Sequence, residues 1–93
     1  MALQIASSPS KAQDGDTIAE DLKTRIAQAF PEATTIEVTP LSPGHFEVRV
    51  VAAAFEGLSR VKQQQGVYAA IAPLLKGDAA PVHAIDRLQT ELP

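Results

Sequence analysis

The sequence predicts a small α+β domain of order α-β-β-α-α-β, with helices on one face of a three-stranded mixed sheet. Three observations carry this. Ile18, Leu22, Ile26 and Phe30 recur at the spacing of one helix face. Two alternating, β-branched runs follow, Thr34 to Thr39 and His45 to Val51, joined by the turn-rich Pro40-Leu41-Ser42-Pro43-Gly44. A helical stretch then leads to a third strand-like segment, Val82 to Leu92. A chain of 93 residues holds one such core and leaves no room for a second.

Residues 1–15 are small and polar, with Ser7, Ser8, Pro9 and Ser10, and bury too little apolar surface to offset the entropy of ordering. They are expected to form a flexible tail ahead of a domain over residues 16–93. The first helix is expected to start at a capping box. In it, Thr17 and Glu20 would each satisfy a backbone donor left open at the helix end. Pro31 stops the helix, because the residue before a proline is pushed out of helical conformation.

In the two strands, Ile36, Val38, Phe46, Val48 and Val50 fall on a core face, while His45, Glu47 and Arg49 fall opposite. The short connection makes them an antiparallel hairpin. Ser59 is a helix N-cap. A short helix is expected from Arg60 to Gln64, interrupted at Gly66. Another begins near Val67 with Val67, Ile71, Leu74 and Leu75 inward. Pro73 in a helix interior costs about 3 kcal/mol, which predicts a kink or a late first turn there, and Gly77 suits the left-handed position after a helix. The last strand returns by a crossover and should lie parallel to the second. Asp86, Arg87 and Leu88 break its alternation, which a β-bulge near Asp86 reconciles.

Composition narrows the chemistry. Hydrophobic residues at 45% and charged residues at 20% describe an ordinary soluble globular domain. No run approaches the roughly 20 apolar residues of a membrane span. The first ten residues lack the charge and apolar run of a signal peptide, so a soluble cytoplasmic protein with no membrane partner is expected. The sequence contains no cysteine, which excludes disulfides, thiolate metal ligands and a cysteine nucleophile. A net charge of −3 gives no overall positive field for nucleic acid. Glycine-rich phosphate loops are absent. Ser59 and Lys62 match the S-x-x-K nucleophile pattern, but a serine cap followed by a solvated lysine accounts for them. No complete catalytic set is visible, and an enzyme is not expected.

Two groups of residues remain. If the second and third strands are parallel neighbours, His45 and His83 share one end of the sheet. Two imidazoles there offer one or two metal ligands. A closed zinc site takes four, so a partner would supply the rest. By spacing alone, surface or structural histidines are the commoner reading. The second group is Arg60, Lys62 and Lys76, with Gln63, Gln64 and Tyr68 nearby, on helices joined at a glycine. This is either a nucleic-acid face of helix-turn-helix type or a solvated helix surface.

Phe55-Glu56-Gly57-Leu58-Ser59-Arg60-Val61-Lys62-Gln63-Gln64-Gln65-Gly66-Val67-Tyr68 closely resembles the core signature of the BolA family, in its IbaG/YrbA-like branch. Val82-His83-Ala84-Ile85 resembles the family's second signature, and Gly44-His45-Phe46-Glu47-Val48 is similar to its small-His-Phe-x-Val pattern. The resemblance extends over Ile18 to Thr90. It implies a fold like that of class II K-homology domains and a monothiol glutaredoxin as partner. It also implies a 2Fe–2S cluster shared with that partner and its glutathione, in cluster trafficking or iron homeostasis. The resemblance makes His83 a cluster ligand and places a second His or Cys ligand in the loop between the first two strands. That loop here, Pro40 to Gly44, carries neither, which leaves His45 as the second candidate. Arg87 stands where the family usually has an aliphatic residue. Family members have also been proposed as transcriptional regulators. This gives an alternative role in nucleic-acid binding through Arg60, Lys62, Gln63, Gln64 and Tyr68, although the GxxG clamp of K-homology domains is not reproduced.

Overall fold

The computed structural model describes residues 14–77 and 79–93. Most of the expected tail, residues 1–13, lies outside the described residues. Asp14 and Gly15 already belong to the start of the first helix. The elements are α1 (Gly15–Ala29), β1 (Thr35–Pro40), β2 (His45–Val51), α2 (Arg60–Ile71) and β3 (Ala84–Glu91), with 3₁₀ turns at Ala53–Phe55 and Ala72–Leu74.

The sheet order is β1-β2-β3. β1 runs antiparallel to β2, from Thr35 opposite Val51 to Pro40 opposite Phe46. β2 and β3 are parallel, from His45 opposite Ala84 to Val51 opposite Glu91. The register jumps once. Phe46 faces Ile85 and Glu47 faces Arg87, so Asp86 is the extra residue of a bulge. The mixed three-stranded sheet and the bulge at Asp86 are as the sequence predicts.

Three local expectations are corrected. α1 starts at Gly15, ahead of the Thr17–Glu20 box, and Asp14 adopts the extended N-cap conformation with its carbonyl accepting from the Ile18 N–H at 3.0 Å. Thr17 is therefore inside the first turn rather than at the cap position. The Asp14 side chain makes no capping hydrogen bond, and Asp16 in the first turn adds negative charge at the positive end of the helix dipole. Likewise, Gly66 does not interrupt α2. A lone interior glycine costs about 1 kcal/mol relative to alanine, and here the missing side chain makes room. A Cβ at Gly66 would lie 3.3 Å from Cζ of Phe30. The Phe30 ring meets Phe55 edge-on at 5.1 Å, which joins the end of α1 to the first 3₁₀ turn. Nor does a kinked helix run on to Gly77: α2 ends at Ile71 and Pro73 falls in the second 3₁₀ turn, where its missing N–H breaks no α-helical bond. Ser59 caps α2 as expected, its Oγ accepting from the Lys62 N–H at 3.2 Å.

One core lies between the helices and one sheet face. Leu22, Ile26, Val50, Val67 and Ile71 are fully buried, and Phe46, Phe55 and Val82 nearly so. On the other face, Arg49 of β2 joins all three strands. It donates to both carboxylate oxygens of Glu91 on β3, at 3.2 and 3.0 Å, and to Glu37 on β1 at 3.3 Å. Its hydrogen bonds hold the Glu91 carboxyl below the usual carboxylate range, and Glu91, followed by Glu37, raises the arginine in turn.

Leu22 has no exposed surface and packs from α1 into the shared core. Leu22→Ala is expected to cost about 2–5 kcal/mol in chemical denaturation, as cavity-forming core substitutions do. A loss below about 0.5 kcal/mol, the range of a neutral surface change, would place this face of α1 outside the core.

Candidate functional site

The site begins with one turn. Between β1 and β2, the Leu41 N–H donates to the His45 carbonyl and the His45 N–H to the Ser42 carbonyl, both at 2.8 Å. Gly44 closes this turn at φ +82°, a conformation that a side chain disfavours. Its carbonyl then accepts two further bonds, from the His83 N–H at 2.8 Å and the Ala84 N–H at 3.1 Å. The first residues of β3 are thereby pinned beside the first residue of β2.

The His83 ring rests directly on Gly44. A Cβ at Gly44 would fall 2.7 Å from Nδ1 and 2.8 Å from Cγ of that ring, too close for any real side chain. His83 itself is exposed. The His45 ring stands nearly perpendicular to it, with centroids 6.4 Å apart at 84°. His45 Nδ1 lies 2.9 Å from Oδ1 of Asp86, the bulged residue of β3. Both side chains of this pair are partly exposed, at 37% and 45%, so solvent or a partner reaches the corner.

The two histidines named from the sequence are thus brought together, as parallel pairing of β2 and β3 requires. The sequence marks Asp86 only as a bulge, and its contact with His45 spans 41 residues of chain. Among the described residues, no group of three or more His, Cys, Asp or Glu side chains is arranged to hold a metal ion by itself. The donor set is two imidazoles side by side on an open corner, with one held against bare backbone. It suits a metal centre whose remaining ligands come from elsewhere.

The second group of candidate residues does not form a common surface. Arg60, Lys62 and Tyr68 are exposed. Gln63 is turned inward: its amide nitrogen donates to the carbonyls of Phe55 and Leu58, at 3.3 and 3.0 Å, and its oxygen accepts from buried Thr90 at 2.7 Å. The Gln64 amide reaches the Leu88 carbonyl at 3.5 Å. These two side chains stitch α2 to β3. A polar residue on the core side of β3, such as Thr90, is the sequence signal that such a partner is needed.

The family model for the BolA-like protein matches residues 26–91. The chain belongs to the BolA-like family. It is 36% identical over 77 residues to human BolA-like protein 1, a match covering 83% of this chain and 54% of that protein. To bovine BolA-like protein 1 it is 34% identical over 95 residues, covering 91% and 68%. This BolA-like chain spans about half the length of the human relative. Among solved structures, the BolA domain of SufE1 from Arabidopsis thaliana superposes with a TM-score of 0.73, covering 83% of this chain and 93% of that one at 22% identity. The fold predicted from the sequence is therefore the fold of the family.

Gly44→Ala tests the corner. Backbone strain at positive φ should lower stability by about 1–2 kcal/mol, and the added methyl should displace the His83 ring. Gly57 has the same φ of +82° with open space around it. Gly57→Ala should therefore show comparable strain while leaving the His83 ring resonances in place. Unmoved His83 resonances in Gly44→Ala would show that the ring does not rest there.

Proposed function

We propose that this chain is a non-enzymatic adaptor of the cytoplasm. It binds a monothiol glutaredoxin and shares a 2Fe–2S cluster with it, in iron–sulfur cluster trafficking or iron homeostasis. Membership of the BolA-like family supports this reading, and the signature over residues 55–68 favours the IbaG/YrbA-like branch within it. The observation that carries it is the exposed imidazole of His83, seated on Gly44 and flanked by His45 at 6.4 Å.

The cluster is cargo, held between two proteins. His83 supplies a neutral nitrogen donor to it. Replacing a thiolate by an imidazole makes a cluster site less negative and raises its potential. Glutaredoxin and its glutathione supply the sulfur ligands, which a sequence without cysteine lacks. Gly44 sets the position of the donor through packing and through the backbone bonds that fix the start of β3. No side chain of this chain is required to move a proton or to form a covalent bond, which is why the role is that of an adaptor. The nucleic-acid alternative finds less support: the net charge is −3, and Gln63 and Gln64 are committed to internal hydrogen bonds.

The test is a titration of each variant into cluster-loaded monothiol glutaredoxin, followed by visible absorption and circular dichroism. His83→Ala should keep the fold and the protein–protein contact, yet shift both spectra and make the cluster less stable. His45→Ala should do the same to a smaller degree. A wild-type spectrum from His83→Ala contradicts the ligand assignment. If neither substitution matters, cluster sharing through this corner is refuted.

A further inference from the structure

The carboxylate of Asp86 has no part in the reading above, yet the fold places it deliberately close to the site. Regular pairing would set each residue of β3 opposite one of β2. The bulge instead inserts Asp86 between Ile85, which faces Phe46, and Arg87, which faces Glu47. The inserted side chain meets the first residue of β2, with Oδ1 at 2.9 Å from Nδ1 of His45. A bulge commonly serves to re-aim a side chain in this way.

The chemistry of the contact is one-sided. An ionised carboxylate accepts hydrogen bonds and donates none, so the nitrogen facing it carries the proton. A neutral imidazole has one protonated nitrogen, so the lone pair is then on Nε2. Among the described residues, Asp86 is the one hydrogen-bond partner of the His45 ring. Free imidazole side chains in water favour the opposite tautomer, with the proton on Nε2, where no lone pair is available for a metal. A carboxylate on the far nitrogen of a ligating histidine is the usual means of fixing its tautomer and raising its basicity.

We propose that Asp86 is a positioning residue that holds His45 as the Nδ1–H tautomer, leaving Nε2 as a second imidazole donor beside His83. This deepens the adaptor reading and rests on it for the identity of the acceptor, but the tautomer itself is a property of this chain alone. It also explains how a histidine on a strand, outside the β1–β2 loop, serves as a ligand. The short loop needs no donor of its own when the bulge on the neighbouring strand prepares His45.

The experiment has two arms. In the first, long-range ¹H–¹⁵N spectra of the free protein at pH 8 read the tautomer of His45. Wild type should be mainly Nδ1–H and Asp86→Ala mainly Nε2–H. Asp86→Asn should lie between, because an amide both donates and accepts. The amide fingerprint confirms that each variant is folded. An unchanged tautomer in Asp86→Ala overturns the proposal. In the second arm, the variants are titrated into cluster-loaded monothiol glutaredoxin. Asp86→Ala should match His45→Ala, with half-saturation shifted about tenfold, the low end for loss of such an outer partner. A wild-type titration for Asp86→Ala beside an impaired His45→Ala also overturns it. If wild type itself produces no spectral change while the first arm shows the tautomer shift, the adaptor reading fails and the positioning of His45 by Asp86 stands.

Discussion

The carbonyl of Gly44 accepts two N–H groups from the start of β3, and much of the molecule's organisation follows from that contact. The residue sits at the end of the β1–β2 turn in a left-handed conformation. From there its carbonyl reaches the incoming chain, while its missing side chain leaves a flat surface of backbone. The first property sets where β3 begins relative to β2, and hence which residues of the two strands face each other. The second admits the ring of His83. A larger residue would strain the turn and expel the imidazole together, so the same glycine governs both sheet closure and ligand placement.

The rest of the fold supports that corner from a distance. α1 and α2 bury one sheet face through Leu22, Ile26, Val67 and Ile71, and the opposite face stays open and charged. Arg49 spans three strands on that face, and Gln63 and Gln64 fasten α2 to β3 from the core side. Among the described residues, β3 is an edge strand with only β2 as a strand neighbour, so these bonds matter more to it than they would in the middle of a sheet. A strand fastened at Gly44, Arg49 and Gln63 presents His83 and Asp86 at defined positions. Holding a donor next to a fixed strand in this way gives more precise geometry than a free loop provides.

Most of this architecture is legible in the sequence because it depends on periodicity. The alternation in β1 and β2 sets their faces, the i, i+4 stripe of α1 sets its buried side, and the lost alternation after Ile85 marks the bulge. Parallel pairing of β2 and β3 then puts His45 and His83 at one end without further information. The missed features depend instead on pairs distant in sequence. Gly66 looks like a helix break until Phe30 is seen to occupy the space beside it. Gln63 looks solvent-facing until Thr90, 27 residues later, is found beneath it. The start of α1 differs for a local reason: Asp14 and Thr17 are both residue types of helix starts, and the helix begins at the earlier one. The contact of His45 with Asp86 is not legible locally, because the carboxylate comes from the far side of the β2–α2–β3 crossover.

The central claim is that this chain contributes a histidine nitrogen directly to a cluster held with a glutaredoxin. Pulsed electron paramagnetic resonance on the reduced complex tests it most directly, with ¹⁵N-histidine in this chain alone and the glutaredoxin unlabelled. The account predicts a strong ¹⁵N hyperfine coupling, of the size seen for coordinated imidazole, whose His83 component is lost in His83→Ala. Only weak, through-space nitrogen couplings in the wild-type complex would contradict it, since the cluster would then be held without a ligand from this corner.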